Sequence, residues 1–234
     1  RGDWRKNAII SQGKDGIVFK KFNIDAQISG ALESVVETQT GVVLTIEEME
    51  ALTAIDIDLA SHKTAHSHPL KLAEALAEEI FWQIRLRKLS GIILIDYPRA
   101  KNLGARDHFH SEIKRIASQD EYKLVVHGWT RTGLLELTKD RLGPSLRDMF
   151  LCKNSVSQFL IEVIAIEACR TLITESDGIA NPQLVCSQDL KSALLGPLRK
   201  TFDEVKRRLG VEVDFYVDLY LAHDDFYIQA KKTT

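Results

Sequence analysis

Two apolar runs close on aspartate, Ala51-Leu52-Thr53-Ala54-Ile55-Asp56-Ile57-Asp58 and Gly91-Ile92-Ile93-Leu94-Ile95-Asp96-Tyr97, and a long helical stretch separates them. From about Leu70 to Leu89, the apolar positions Leu72, Leu76, Ile80 and Ile84 recur at helical spacing, with Glu74, Glu78, Glu79, Arg85 and Lys88 exposed. A strand, a crossover helix and a second strand build a sheet covered by helices, so the chain is expected to be α/β. The acids add a chemical constraint. A carboxylate inside an Ile/Val/Leu run is destabilising unless it is paired or ligates a cation, which makes the two strands a candidate hard-metal site. The alternative is that each Asp marks a strand end where the chain meets water.

Side chains alternate along a strand, so Asp56 and Asp58 point to one side and Asp96 lies at comparable depth on the neighbouring strand. Three converging carboxylates suit Mg²⁺, which prefers oxygen ligands, with Mn²⁺ as its substitute. Mg²⁺ in turn suits phosphodiester substrates, because it neutralises charge and activates water.

Around this unit the pattern predicts a hairpin over 7–20 and a helix over 24–36. A strand at 42–46 pairs antiparallel with the first acidic run. A helix near 104–118 and strands at 123–127 and 133–138 complete a mixed sheet. After Gly143-Pro144 the composition shifts to a helix over 155–173, a strand at 184–186, a helix over 188–209 and strands near 211–221 and 225–230. The expected division is residues 1–147 as a catalytic-like α/β domain and 148–234 as a smaller α+β domain.

The 234 residues are 44% hydrophobic, enough for a proper core, and no window approaches the roughly 18 apolar residues of a membrane span. The polar N-terminus lacks a signal-peptide apolar region, which leaves the cytoplasm as the expected compartment and no membrane as a partner. Cys152, Cys169 and Cys186 are odd in number and widely spaced, against a disulfide framework and against paired zinc knuckles. A net charge of −2 gives no global attraction to nucleic acid, so polyanion binding must come from local clusters. Such residues flank the acids: Arg85, Arg87, Lys88, Arg99, Lys101, Arg106, Lys123, Arg131, Lys139 and Arg141. They would hold an RNA backbone by phosphate contacts or form a solvated face. Trp129 fits base stacking or core packing equally. His62, His66 and His68 share one Ser/Thr-rich loop that offers zinc neither a carboxylate nor a Cys partner.

Three ordered segments are less generic. Glu50 to Asp58, Gln83 to Tyr97 and Thr130-Arg131-Thr132-Gly133-Leu134-Leu135-Glu136-Leu137-Thr138, followed by Gly143-Pro144-Ser145-Leu146, together resemble the catalytic region of the ribonuclease E/G family. The resemblance covers residues 25 to 146, and the remainder looks more weakly like that family's small domain. It implies a catalytic region that combines ribonuclease H-like and deoxyribonuclease I-like elements. It further implies a Mg²⁺-dependent endoribonuclease that cleaves single-stranded RNA and leaves 5′-phosphate and 3′-hydroxyl ends, with Asp56 and Asp96 holding the ion at the scissile phosphate.

Arg131, Lys123, Arg99, Lys139, Arg85 and Arg87 are the candidate RNA contacts. Asp58 stands where the family has Asn. An ionised Asp accepts but cannot donate, so it is a third metal ligand, a brake on activity, or the mark of a degenerate site. A catalytically weak or inactive RNA-binding relative is the alternative. No stretch corresponds to the family's S1 or 5′-end-sensing regions. Cys152 is the lone cysteine where the family has a Cys-Pro-x-Cys zinc link, so no zinc link is expected, and a homodimer stays open.

Overall fold

The computed structural model describes residues 17–59, 69–97, 103–119, 123–153, 158–176, 178–179 and 181–231. The chain divides into two units, one of Gln27–Met149 and one of Phe150–Thr234 together with the segment up to Ala26. That last segment was expected with the larger unit. Helix α1 (Ile17–Lys21) and the start of α2 (Ile24–Leu32) instead group with the C-terminal unit. There Arg170 Nη2 donates to Asp25 Oδ1 at 2.6 Å, and its guanidinium lies 4.5 Å over the ring of Phe19.

The larger unit is built on a six-stranded sheet in the order β1-β2-β3-β4-β6-β5. Its strands are β1 (Val35–Glu37), β2 (Val43–Glu48), β3 (Leu52–Asp58), β4 (Gly91–Asp96), β5 (Leu124–Trp129) and β6 (Leu135–Lys139). β3 and β4 pair parallel, and the other neighbours pair antiparallel. The parallel pair requires the crossover that the sequence announces, and α3 (Pro69–Leu86) supplies it. Leu72, Leu76, Ile80 and Ile84 of α3 and Phe109 and Ile113 of α4 (Leu103–Ala117) pack on Leu44, Ile46, Ile55, Ile57, Ile93, Ile95, Leu135 and Leu137. One sheet face is therefore core and the other is open. No helix of the described residues is long and apolar enough to cross a membrane.

The smaller unit has a three-stranded sheet, β8-β7-β9, from β7 (Pro182–Cys186), β8 (Asp214–Val217) and β9 (Phe226–Ala230). Residues of α6 (Ile161–Glu175), α7 (Gln188–Leu195) and α8 (Arg199–Leu209) enclose its core around Leu172, Leu184, Leu194 and Phe202. The mixed sheet with flanking helices and the smaller α+β unit agree with the expected fold class.

Local differences have local causes. Most of the expected 7–20 hairpin lies outside the described residues, and its end is helical as α1. The 24–36 helix stops at Leu32, because β-branched Val35 and Val36 pair with Thr45 and Leu44 as β1. The 188–209 helix is two helices: Pro197, which lacks an amide donor, follows Gly196 between α7 and α8. Short helix α5 (Leu146–Phe150) links the end of β6 to the division between units.

Candidate functional site

Strand alternation sets the first feature. Ile55 and Ile57 are 1% and 3% exposed in the core, so Asp56 and Asp58 stand on the open face, as does Asp96 on β4. The acids therefore avoid the desolvation that a buried run would impose. Register does the rest. β3 and β4 pair with Ile55 opposite Ile95 and Asp56 opposite Asp96. Adjacent strands lie about 4.8 Å apart, so two aligned carboxylates on one face form a hard-oxygen pair of the kind Mg²⁺ takes while keeping its waters. Asp58 is two residues further along the same face, opposite Val43 of β2. Among the described residues no group of three or more His, Cys, Asp or Glu side chains is placed to hold a metal ion. The fold brings together a pair, with Asp58 beside it.

The second feature is the β5–β6 turn. β6 begins where β4 ends, with Leu135 opposite Ile95, so the turn sits at the acid end of the sheet. It is closed twice by the backbone: Thr130 N–H donates to Leu134 O at 2.8 Å and Gly133 N–H to Thr130 O at 3.0 Å. Leu134 N–H donates to Thr130 Oγ1 at 3.0 Å. Gly133 adopts φ 97°, which a side chain would disfavour. Arg131 and Thr132 are the exposed residues of this turn, and Arg131 carries its positive charge.

Arg106 holds the turn to α4. Its Nη2 donates to Gly133 O at 3.0 Å and its guanidinium stacks 3.8 Å over the Trp129 ring. Trp129 is partly buried, packs against the core and meets His110 edge-on at 6.0 Å, so it has a packing role. Its placement depends on a bulge between Val126 and Gly128, which shifts the register and restores Trp129 opposite Leu135. Neither the clamp nor the bulge has a sequence signal beyond Gly128.

The basic candidates separate. Arg131 is at the acid end. Lys139 pairs with both Gly91 and Leu124, which places it and exposed Lys123 at the start of β4. Arg85 and Arg87, at and just past the end of α3, belong to this end too. Gly91 lies five residues from Asp96, roughly 16 Å at about 3.3 Å per residue. Arg87 is 3% exposed, and its Nε donates to Gln83 Oε1 at 3.0 Å, so it is built into the protein and not offered to an RNA backbone. Burial lowers its pKa, opposed by the charges of Glu48 and Glu33, while burial raises the Glu48 carboxyl against the hydrogen bond from Ser145 and the charges of Arg147 and Arg87. Arg99, Lys101 and the histidines at 62, 66 and 68 lie outside the described residues.

Among known proteins, the chain is similar to the ribonucleases E and G. The profile of the ribonuclease E/G family matches residues 3–142. Ribonuclease G of Escherichia coli K12 is 25% identical over 219 residues, which cover 89% of this chain and 45% of that protein. Ribonuclease E of Haemophilus influenzae is 26% identical over 227 residues, 91% of this chain and 24% of the relative. Ribonuclease E of Escherichia coli K12 is 32% identical over 136 residues, 55% of this chain and 12% of the relative. The chain spans less than half the length of each of these relatives.

Proposed function

From the chain's membership of the ribonuclease E/G family, we propose that it is a metal-dependent endoribonuclease that cleaves single-stranded RNA and leaves 5′-phosphate and 3′-hydroxyl ends. The observation that carries this reading is the pairing of Asp56 with Asp96 across parallel strands on the open sheet face. Asp56 and Asp96 would hold Mg²⁺, with Mn²⁺ able to replace it. Bound there, the ion would supply charge neutralisation at the phosphate and an activated water. The protein's own part is positioning. The Arg131 guanidinium, on a turn tied down by Thr130 and Arg106, contacts a phosphate oxygen next to the bond to be cut. Asp58 adds a third negative charge to the field of the pair.

Cleavage of single-stranded RNA by the purified protein with Mg²⁺, with both product ends mapped, tests the reading. Activity independent of divalent ions, or an Asp96→Asn variant that cuts as well as the parent, would sink it. One observation favours a second reading, a relative that binds RNA with little turnover: Asp58 replaces the amide expected beside the pair and leaves a carboxylate that repels phosphate. In that case RNA binding survives Asp56→Ala and no products form under any divalent ion.

A further inference from the structure

At the end of the sheet opposite the acid pair, a cavity of about 350 Å³ is lined by Arg85, Lys88, Leu89, Ser90, Lys139, Asp140, Leu142 and Gly143. Three cations face a single carboxylate there. Arg141 Nε donates to Ser90 Oγ at 3.3 Å, which brings a fourth cation to the rim. Lys139 is only 9% exposed and lies on the same side of β6 as Leu135 and Leu137, so it forms the inner wall of the cavity.

The backbone gives an independent sign that these lysines are not a casual charged surface. α3 ends in a left-handed turn: Lys88 N–H donates to Arg85 O at 3.1 Å and Leu89 N–H to Ile84 O at 2.9 Å, and Lys88 has φ 54°. Glycine is the usual residue at that position because it has no Cβ to strain. Lys123, beside Lys139 through the Leu124 pairing, also has a positive φ, 51°. Two lysines thus hold conformations that disfavour side chains at the same end of one sheet, as occurs where a side chain is retained for what it binds. Leu142, 69% exposed, adds an apolar lip. Clustered cations, a hydroxyl and an apolar lip fit a phosphate joined to a sugar and base better than a bare inorganic ion.

We propose that this cavity, on the helix-covered side of the sheet, is a second phosphate subsite for the RNA strand, taking a backbone phosphate that lies round the end of the sheet, at least about 16 Å from the acid pair and so at least about five stacked nucleotides away. The proposal rests on the ribonuclease reading for its RNA and extends it to a minimum substrate length. Arg85 and Lys88 hold the phosphate, Lys139 adds positive charge from the inner wall, Arg141 and Ser90 close the rim, and Leu142 abuts the sugar or base.

The test is binding of a trinucleotide and of a roughly twelve-nucleotide single-stranded RNA in EDTA over a range of salt, with wild type, Lys88→Gly and Arg85→Ala. Glycine is the residue the turn prefers, so Lys88→Gly should melt at the same temperature as wild type or higher. The expected result is a long-RNA affinity lowered about five- to tenfold, a narrower gap between long and short RNA, and a salt slope smaller by about 0.7. Arg85→Ala should behave alike.

Unchanged long-RNA affinity and slope in both variants, or an equal loss for the trinucleotide, overturns the subsite. A nucleoside monophosphate or inorganic phosphate that raises the melting temperature through Lys88, with no dependence on RNA length, overturns the RNA assignment in favour of a free phosphate. Lys88-dependent binding without Mg²⁺-dependent cleavage leaves the cavity standing and removes the nuclease reading. Cleavage with no effect at Lys88 or Arg85 does the reverse.

Discussion

The two units place their reactive groups in opposite surroundings. In the larger unit, the carboxylates at 56, 58 and 96 stand on an open sheet face and the apolar partners in between are buried. In the smaller unit, two thiols are absorbed by packing. Cys169 and Cys186 are buried with thiols pushed up to about 11 by desolvation, and the ring of Phe202 meets that of Phe215 tilted by 44° at 5.2 Å. A sheet with one bare face can display chemistry at strand ends; a three-stranded sheet wrapped by helices spends its residues on cohesion. Substitutions on the open face of the larger unit should therefore change function at nearly constant stability, and substitutions in the core of the smaller should change stability first.

The largest effect is expected in the smaller unit. Phe202 is 1% exposed, and Phe202→Ala should lower unfolding free energy by about 3–5 kcal/mol in denaturant titration. A loss under about 1 kcal/mol would remove the packing half of the contrast. Next is Asp96→Asn, which should reduce Mg²⁺-dependent cleavage by about a hundred- to a thousandfold, roughly 3–4 kcal/mol of barrier. Thermal unfolding should show stability within about 0.5 kcal/mol of wild type, because the side chain is exposed.

Arg106→Ala comes third. It removes the stack on Trp129 and the bond to Gly133, should cost about 1–2 kcal/mol of stability, and should weaken RNA binding through a loosened Arg131 turn. Arg106→Lys, which keeps charge but loses the planar fork, should not restore the turn.

The smallest effect is a reactivity. Raised thiol pKa values in the folded state favour the neutral form, so the stability they contribute is present below the ordinary value of 9.0 and is lost as pH rises through about 11. At pH 8 iodoacetamide should leave Cys169 and Cys186 unlabelled until the protein is denatured, as peptide mass mapping would show. Rapid labelling of either in the native state would mean the smaller unit is not the closed core described.

The acid pair was legible because two independent periods meet there. The two-residue alternation of β3 and β4 placed Asp56 and Asp96 on one face, and the α3 stripe made the strands parallel neighbours. Arg87 reads from its charge as a phosphate contact, whereas its place at helical spacing from Ile80, Gln83 and Ile84 turns it inward, and it is 3% exposed. What could not be read is set by non-local pairing. Lys139 stands far from Asp96 because β6 runs antiparallel to β4, and no residue near 139 records that direction. The switch from α2 to β1 had the same origin, since Val35 and Val36 fit either period until β2 is beside them.

Parallel pairing of β3 with β4 has a consequence in time. Asp56 and Asp96 are about forty residues apart in the chain and meet only after the crossover has folded and the loop entropy of that long connection has been overcome. Under the metal reading proposed above, recovery of divalent-ion binding during refolding would be a clock for closure of the sheet: helical signal should return first, and ion binding only with the slowest strand pairing.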